Sequence, residues 1–200
     1  PKDLAIAKNG GKTLIYFGSL WGEWFDWEKI EYLSEKCADC EINLIGDYSG
    51  IKDRVNSMHK NVHFLGLKRQ TELPSYLKFS DIALLPFKNC EIGKYVSPLK
   101  IFEYIAMNKK VISTTLDDIQ NYPNVYCSDN KEEWVDLVYE SNKIVDASEF
   151  ITSNNWFARC GELIESANDN AIKDTSISIV VLNYNNKNVI ERCINTLLAH

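Results

Sequence analysis

Short apolar runs rich in β-branched and aromatic residues fall at residues 13–18, 42–46, 62–66, 82–86 and 111–114, with a weaker one at 125–127, and these read as strands. Between them the apolar positions recur at helical spacing, at residues 26–37, 50–58, 71–79 and 98–107. This alternation predicts an α/β protein: a Rossmann-like, doubly wound parallel sheet with helices on both faces. After the last strand, residues 132–139 and 147–166 read as helices, the second long and carrying Trp156, Cys160 and Leu163 on one face. A polar run at 168–175 reads as a linker. Beyond it lie an apolar run of buried-strand type at 176–182 (SISIVVL), a loop at 183–187 and a helix at 189–198. One strand and one helix cannot bury their own apolar surface, so they read as the opening of a second domain. The expected domains are therefore 1–167 and 176–200, joined by the linker at 168–175.

Composition narrows the function. With 200 residues, 45% of them hydrophobic, the chain can bury one substantial core. A formal net charge of -6 leaves no basic footprint for phosphate backbones, which sets nucleic-acid binding aside. No stretch approaches the roughly 18 to 20 apolar residues of a membrane helix, and the first 12 residues lack the apolar centre of a signal peptide, so a soluble, intracellular location is expected. Cys37 and Cys40 form one C-x-x-C pair at the end of a predicted helix, with no second pair at ligand spacing, and read as free thiols rather than a metal or redox centre. His59, His63 and His200 join no nucleophile, and His63 alternates within a predicted strand as a structural residue would.

Candidate chemistry gathers at the ends of the strands. Gly18, Gly46 and Gly66 close three of them, where loops begin, and Pro86 closes the fourth. In doubly wound sheets ligands sit beyond these carboxyl ends, where glycine lets the backbone approach them; turn glycines without a ligand are the alternative. The most informative segment is 96–107 (VSPLKIFEYIAM). Ser97 suits an N-cap and Pro98 the first helical position. Lys100 then falls third, where a cation opposes the helix dipole unless an anion sits at that terminus. Helical spacing places Leu99, Phe102 and Ala106 on one face and Lys100, Glu103, Tyr104 and Met107 on the other. A carboxylate at Glu103 could accept two hydrogen bonds from a ribose diol, and a solvated Lys100–Glu103 ion pair is the competing account.

That segment resembles the donor-site motif of family-4-like glycosyltransferases with the GT-B fold, in the branch whose signature runs S-P-L-K-hydrophobic-hydrophobic-E-Y-hydrophobic-A. Ser97, Pro98, Leu99, Lys100, Glu103, Tyr104 and Ala106 match it. Tyr16, Phe17 and Gly18, the Trp24–Phe25–Asp26–Trp27 run, Ile45 and Gly46, and residues 61–66, 81–86 and 111–114 follow in the family's order, so the resemblance spans about residues 10–165. It implies the C-terminal, donor-binding half of a GT-B enzyme. The turn at 97–100 would hold a nucleotide diphosphate, Glu103 the ribose, the residues after 64–66 the base, and Gly18 and Ser19 the cleft near the phosphates. Many relatives carry a second glutamate eight positions before this one; here that position is Tyr95, which leaves Glu91 or Lys94 to meet the sugar. A basic residue common after the first glycine loop is also absent, so Lys100 would carry that charge alone. Asn155 and Trp156 match an Asn/Ser-Trp element of a helix that crosses back to the other half, with a core tryptophan as the alternative.

By the same resemblance the donor is a nucleotide-diphosphate sugar, no metal or resident cofactor is required, and the anomeric configuration is retained. The acceptor-binding Rossmann-like domain would precede this chain, which alone would bind donor without turnover. The product would belong to a cell-surface polysaccharide or glycoconjugate, with which peripheral association of the full-length protein at the inner face of the membrane is compatible. Residues 176–200 resemble the truncated opening of a family-2 (GT-A) glycosyltransferase, with Tyr184 as the base-stacking residue and no Asp-x-Asp metal motif in the chain. A nucleotide-sugar epimerase of GT-B type and a non-catalytic nucleotide-binding or interaction module are the alternatives.

Overall fold

The structure is a computed structural model that describes residues 1–88 and 98–169, the side chains of 166–169 excepted. The chain divides into two units, Pro1–Asn155 and Trp156–His200. The first holds six parallel strands: β1 (Thr13–Phe17), β2 (Glu41–Ile45), β3 (Val62–Gly66), β4 (Ile82–Leu85), β5 (Lys110–Ser113) and β6 (Val125–Cys127). Their order across the sheet is β3-β2-β1-β4-β5-β6, so the chain steps outward from β1 to β3 and then returns to place β4 beside β1. Every residue of β1, β4 and β5 is buried. Successive strand residues face opposite sides, so helices cover both faces, as the unbroken apolar runs predict.

Polar side chains fix where the helices begin and end. In α1 (Trp27–Lys36) the Asp26 carboxylate accepts the N–H of Lys29 at 3.3 Å. At its other end the buried amide of Asn61 donates to the carbonyls of Ser34, Cys37 and Cys40 at 3.2, 3.2 and 3.1 Å. One side chain thereby satisfies the last carbonyls of α1 and the turn into β2, and Cys37 and Cys40 are free and buried beneath it. Asn61→Ala should remove this shared donor, leaving Cys37 only the Cys40 N–H, and lower stability by about 2 kcal/mol, read as a urea midpoint shift at constant slope. In α5 (Lys131–Tyr139), Asn130 accepts from Glu132 N at 2.8 Å, and the Lys110 ammonium donates to the carbonyls of Leu137 and Glu140 at the far end.

Three helices differ from the sequence pattern. The predicted helix at 50–58 is a 3-10 turn (Ser49–Ile51) running into α2 (Lys52–Ser57), and that at 71–79 is a 3-10 turn (Gln70–Glu72) followed by α3 (Leu73–Lys78). The long helix at 147–166 is two helices, α6 (Ser148–Ser153) and α7 (Trp156–Asp169). Asn154 donates from its backbone and its side-chain amide to the Phe150 carbonyl, and the Asn155 amide donates to Thr152. The two side-chain bonds compete for carbonyls that a continuing helix uses. In the second unit α7 runs to Asp169, past the start of the expected linker, and Trp156 is 71% exposed. Among the described residues no helix is long and apolar enough to cross a membrane.

Candidate functional site

The strand order puts the topological switch point between β1 and β4, and ligands of open parallel sheets bind beyond the carboxyl ends there. Three glycines line that edge. Gly18, the residue after β1, donates its N–H to Ile45 at 2.9 Å, and Gly46 donates to Gly66 at 3.1 Å, so the loops after β1, β2 and β3 are tied side by side. Gly18 has φ 142°, and a Cβ there would lie 2.4 Å from the Lys100 Nζ and 2.9 Å from the Tyr16 hydroxyl. Glycine at this position makes room for an ammonium group.

The loop after β1 crosses to the end of β4. Phe25 forms an antiparallel bridge with Phe87, Asp26 N donates to Pro86 at 2.7 Å, and Lys88 N donates to Trp24 at 2.7 Å. The Phe25 ring meets Tyr16 edge-on, with centroids 5.0 Å apart. The Trp24–Phe25–Asp26 run therefore closes one side of the crevice and starts α1.

α4 (Lys100–Ala106) arrives from the other side. Ile101 N bonds to Pro98 and Phe102 N to Leu99, so the chain enters through a tight turn, and Lys100 is the first helical residue rather than the third. The expected faces need correction. Leu99, placed on the apolar face, is 63% exposed, whereas Tyr104, placed on the polar face, is wholly buried beside Ile101 and Ile105. The pairing of β1 with β4 stops at Ile15, and the Tyr104 hydroxyl reaches in to accept the Phe17 N–H at 3.3 Å. A polar atom on this helix thus completes the sheet instead of facing water.

Lys100 does not pair with Glu103 in a surface salt bridge, the competing account of this helix. Its Nζ points over Gly18, donates to the Tyr16 hydroxyl at 3.2 Å, and lies 4.6 Å from the Tyr16 ring centroid and 5.5 Å from that of Phe87. Tyr16 passes the chain on, donating to the Ser19 carbonyl at 2.9 Å. Among the described residues no carboxylate stands within ion-pair distance of this ammonium. Burial pushes its pKa down to about 8, with the charge of Glu103 opposing the shift. Burial raises the Tyr16 hydroxyl, which stays protonated. A cation held in a crevice with no carboxylate paired to it among the described residues is set to receive an anion.

Glu103 is half-buried one turn along α4 and accepts from the Gln70 amide at 3.5 Å. Gln70 opens the turn after β3, so the loop expected near a base and the carboxylate expected near a ribose come together. The Ser19 hydroxyl donates to Trp21 at 3.1 Å. Of the remaining expected contacts, Pro98 is buried at the entry turn, while Glu91, Lys94, Ser97 and Tyr184 lie outside the described residues. Sequence reasoning missed Tyr16, Phe87 and Gln70 as parts of the site. Tyr16, matched by the resemblance as a strand residue, sits inside an unbroken apolar run and carries no spacing signal for a polar role; its place one residue before the end of β1 could have marked it.

Among the described residues no group of three or more His, Cys, Asp or Glu side chains is placed to hold a metal ion. In sequence the chain is 30% identical over 87 residues to a Bacillus subtilis (strain 168) protein assigned to teichuronic acid biosynthesis as glycosyltransferase TuaH, an alignment covering 42% of this chain and 22% of that protein. In structure it is similar to Anabaena Alr3699/HepE, solved in complex with UDP and glucose (TM-score 0.58, 15% identity, 81% of this chain and 49% of that one). It is also similar to the lipopolysaccharide outer core galactosyltransferase WaaB in its apo form (TM-score 0.59, 12% identity, 80% and 50%). The chain therefore spans about half the length of these solved structures and less than a quarter of the curated relative. Residues 11–140 match the family described as Glycosyl transferases group 1, well over half of the 200 residues, and the chain belongs to that family.

Proposed function

We propose that this chain is the donor-binding half of a GT-B glycosyltransferase, which holds a nucleotide-diphosphate sugar for transfer, with retention, to a growing cell-surface polysaccharide or glycoconjugate. The observation that carries the reading is the Lys100 ammonium, poised over Gly18 at the switch point of the sheet without a carboxylate partner among the described residues. A diphosphate there gains a charge-assisted hydrogen bond in a site shielded from water, and the same contact stabilises charge that develops on the leaving diphosphate. Glu103 and the loop from Gly66 to Gln70 form the nucleoside end, as the contact between Gln70 and Glu103 supports. The acceptor, and any general base, would come from a second Rossmann-like domain outside this chain. Residues 176–200 carry the pattern of an opening strand and helix of a family-2 transferase domain.

Calorimetric titration of the 200-residue chain with UDP, GDP and ADP, and with sugar derivatives of each, tests the reading. At least one nucleoside diphosphate should bind; silence from all of them would leave an interaction module as the better account. Glu103→Ala should weaken the preferred nucleotide about tenfold, because a carboxylate–diol contact is worth roughly 1.5 kcal/mol, and should leave inorganic pyrophosphate unchanged. Equal loss for both ligands would mean that the carboxylate does not meet the ribose.

A further inference from the structure

The reading above assigns Lys100 but gives no role to the group that holds it. Tyr16 is wholly buried in β1, one residue before the strand ends, and its side chain meets Lys100 in two ways at once. The ring centroid lies 4.6 Å from Nζ, and the hydroxyl accepts from Nζ at 3.2 Å. The hydroxyl's own proton is committed to the Ser19 carbonyl at 2.9 Å, which leaves its lone pairs toward the ammonium. Phe25 fixes the ring edge-on from the other side, with centroids 5.0 Å apart. The missing side chain at Gly18 clears the space into which the Nζ projects.

On the strength of the donor-site reading, we infer that Tyr16 is the positioning residue of the anion-binding lysine: its hydroxyl orients the ammonium toward the space above Gly18 and favours its charged form, while tying it to the loop that begins at Ser19. The long, flexible lysine stem would otherwise cost rotamer entropy on binding, and a partly buried ammonium without an acceptor would release its proton more readily. Among the described residues, the other groups facing this ammonium are Glu103, on the same helix, whose charge favours the protonated form, and the apolar ring of Phe87. Tyr16 supplies the hydrogen bond that neither of them makes.

The test uses Tyr16→Phe, which keeps the ring and its packing on Phe25 and removes the oxygen. With lysine Cε and Nζ labelled and the Lys100 resonance assigned by its loss in Lys100→Ala, NMR follows the titration of that side chain in the nucleotide-free chain. The midpoint should fall in Tyr16→Phe, and UDP, or whichever nucleoside diphosphate the wild-type chain prefers, should bind roughly tenfold more weakly at pH 7, since a hydrogen bond to a charged group has been lost. An unchanged midpoint in a Tyr16→Phe protein of native melting behaviour overturns the inference, whatever happens to affinity. Should Tyr16→Phe unfold, selective fluorination of the Tyr16 ring, which weakens its hydroxyl as an acceptor and keeps the side chain in place, should lower the same midpoint; no shift there also overturns the inference. The donor-site reading fails separately, if Lys100→Ala binds nucleotide as wild type does.

Discussion

Replacing Lys100 by alanine should weaken nucleoside diphosphate binding about 30-fold at pH 7, and it should also erase a pH dependence that the wild-type chain displays. The first effect follows from removing a charge-assisted hydrogen bond in a shielded crevice, where such contacts contribute roughly 2 kcal/mol. The second follows from the lowered pKa. In the free chain burial holds Lys100 at about 8 against an ordinary value of 10.5. A bound diphosphate stabilises the ammonium, so its pKa rises in the complex and binding takes up a proton above pH 8. The ligand's own last phosphate proton leaves near pH 6, below this window. Affinity should therefore hold level from pH 7 to about 8 and fall by about tenfold by pH 9. Calorimetry in buffers of different ionisation heat reads the proton uptake directly. A wild-type affinity that stays flat between pH 7 and 9, or a Lys100→Ala profile with the same slope as wild type, would show that another group meets the phosphates.

The same shift has the opposite sign for the stability of the free chain. The folded state holds the Lys100 proton less tightly than the unfolded state does, so stability rises as pH climbs from about 8 toward 10.5. Ligand binding and folding thus make opposed demands on one ammonium. This is the pattern of a binding group kept partly desolvated against the interest of the fold, a cost that the close-packed β1 and β4 region absorbs.

The parts of this molecule that were legible in its sequence are those in which one physical requirement acts alone. A strand covered on both faces has to be apolar throughout, so β1 (TLIYF) and β4 (IALL) stand out, and their alternation with amphipathic helices yields the parallel sheet. Gly18 was legible as a loop opening and Lys100 as a cation at a helix start, and resemblance joined the two. Residues that serve two requirements were misread. Tyr104 belongs to the polar face by helical spacing, yet its ring fills the core while its hydroxyl completes the end of β1. Asn154 and Asn155 look tolerable inside a helix, but their side chains compete for its carbonyls and end α6. Asn43, polar in an otherwise buried strand, accepts from Ala5 N at 3.0 Å and donates to Ala5 O at 2.8 Å, so it ties the opening segment to the sheet. Tyr16 shows the same ambiguity at the site: hydrophobic by pattern, polar by partner. For Asn43, Tyr16 and Tyr104 these duties depend on partners 38 to 87 positions away in the chain, and a local pattern carries no information about that.

A large loss of stability is expected at Gly46, the glycine that follows β2. A Cβ at Gly46 would stand 2.0 Å from the Gly18 carbonyl oxygen, 3.2 Å from its carbonyl carbon and 3.1 Å from Leu20 Cγ. The first two are backbone atoms that no rotamer change can move, and both loops are pinned, Gly18 by its bond to Ile45 and Gly46 by its bond to Gly66. Gly46→Ala must therefore push the ends of β1 and β2 apart, at a cost of about 3 kcal/mol, near the upper range for forced overpacking. Since the displaced carbonyl belongs to Gly18, nucleotide binding should weaken in step with stability. Two other glycines calibrate the effect. At Gly66 the Cβ would meet only Tyr48, at 3.9 Å, but φ is 70°, so alanine there should cost about 1 kcal/mol for its left-handed backbone alone. At Gly50 the space is open and no positive φ is required, so alanine should be neutral or slightly stabilising through the unfolded state. Urea denaturation of the three variants should rank them Gly46, Gly66, Gly50 in order of decreasing loss. If Gly46→Ala unfolds no earlier than Gly66→Ala, the close approach of the first two loops is not a constraint of the fold, and the crevice they line is not fixed in the way the donor site requires.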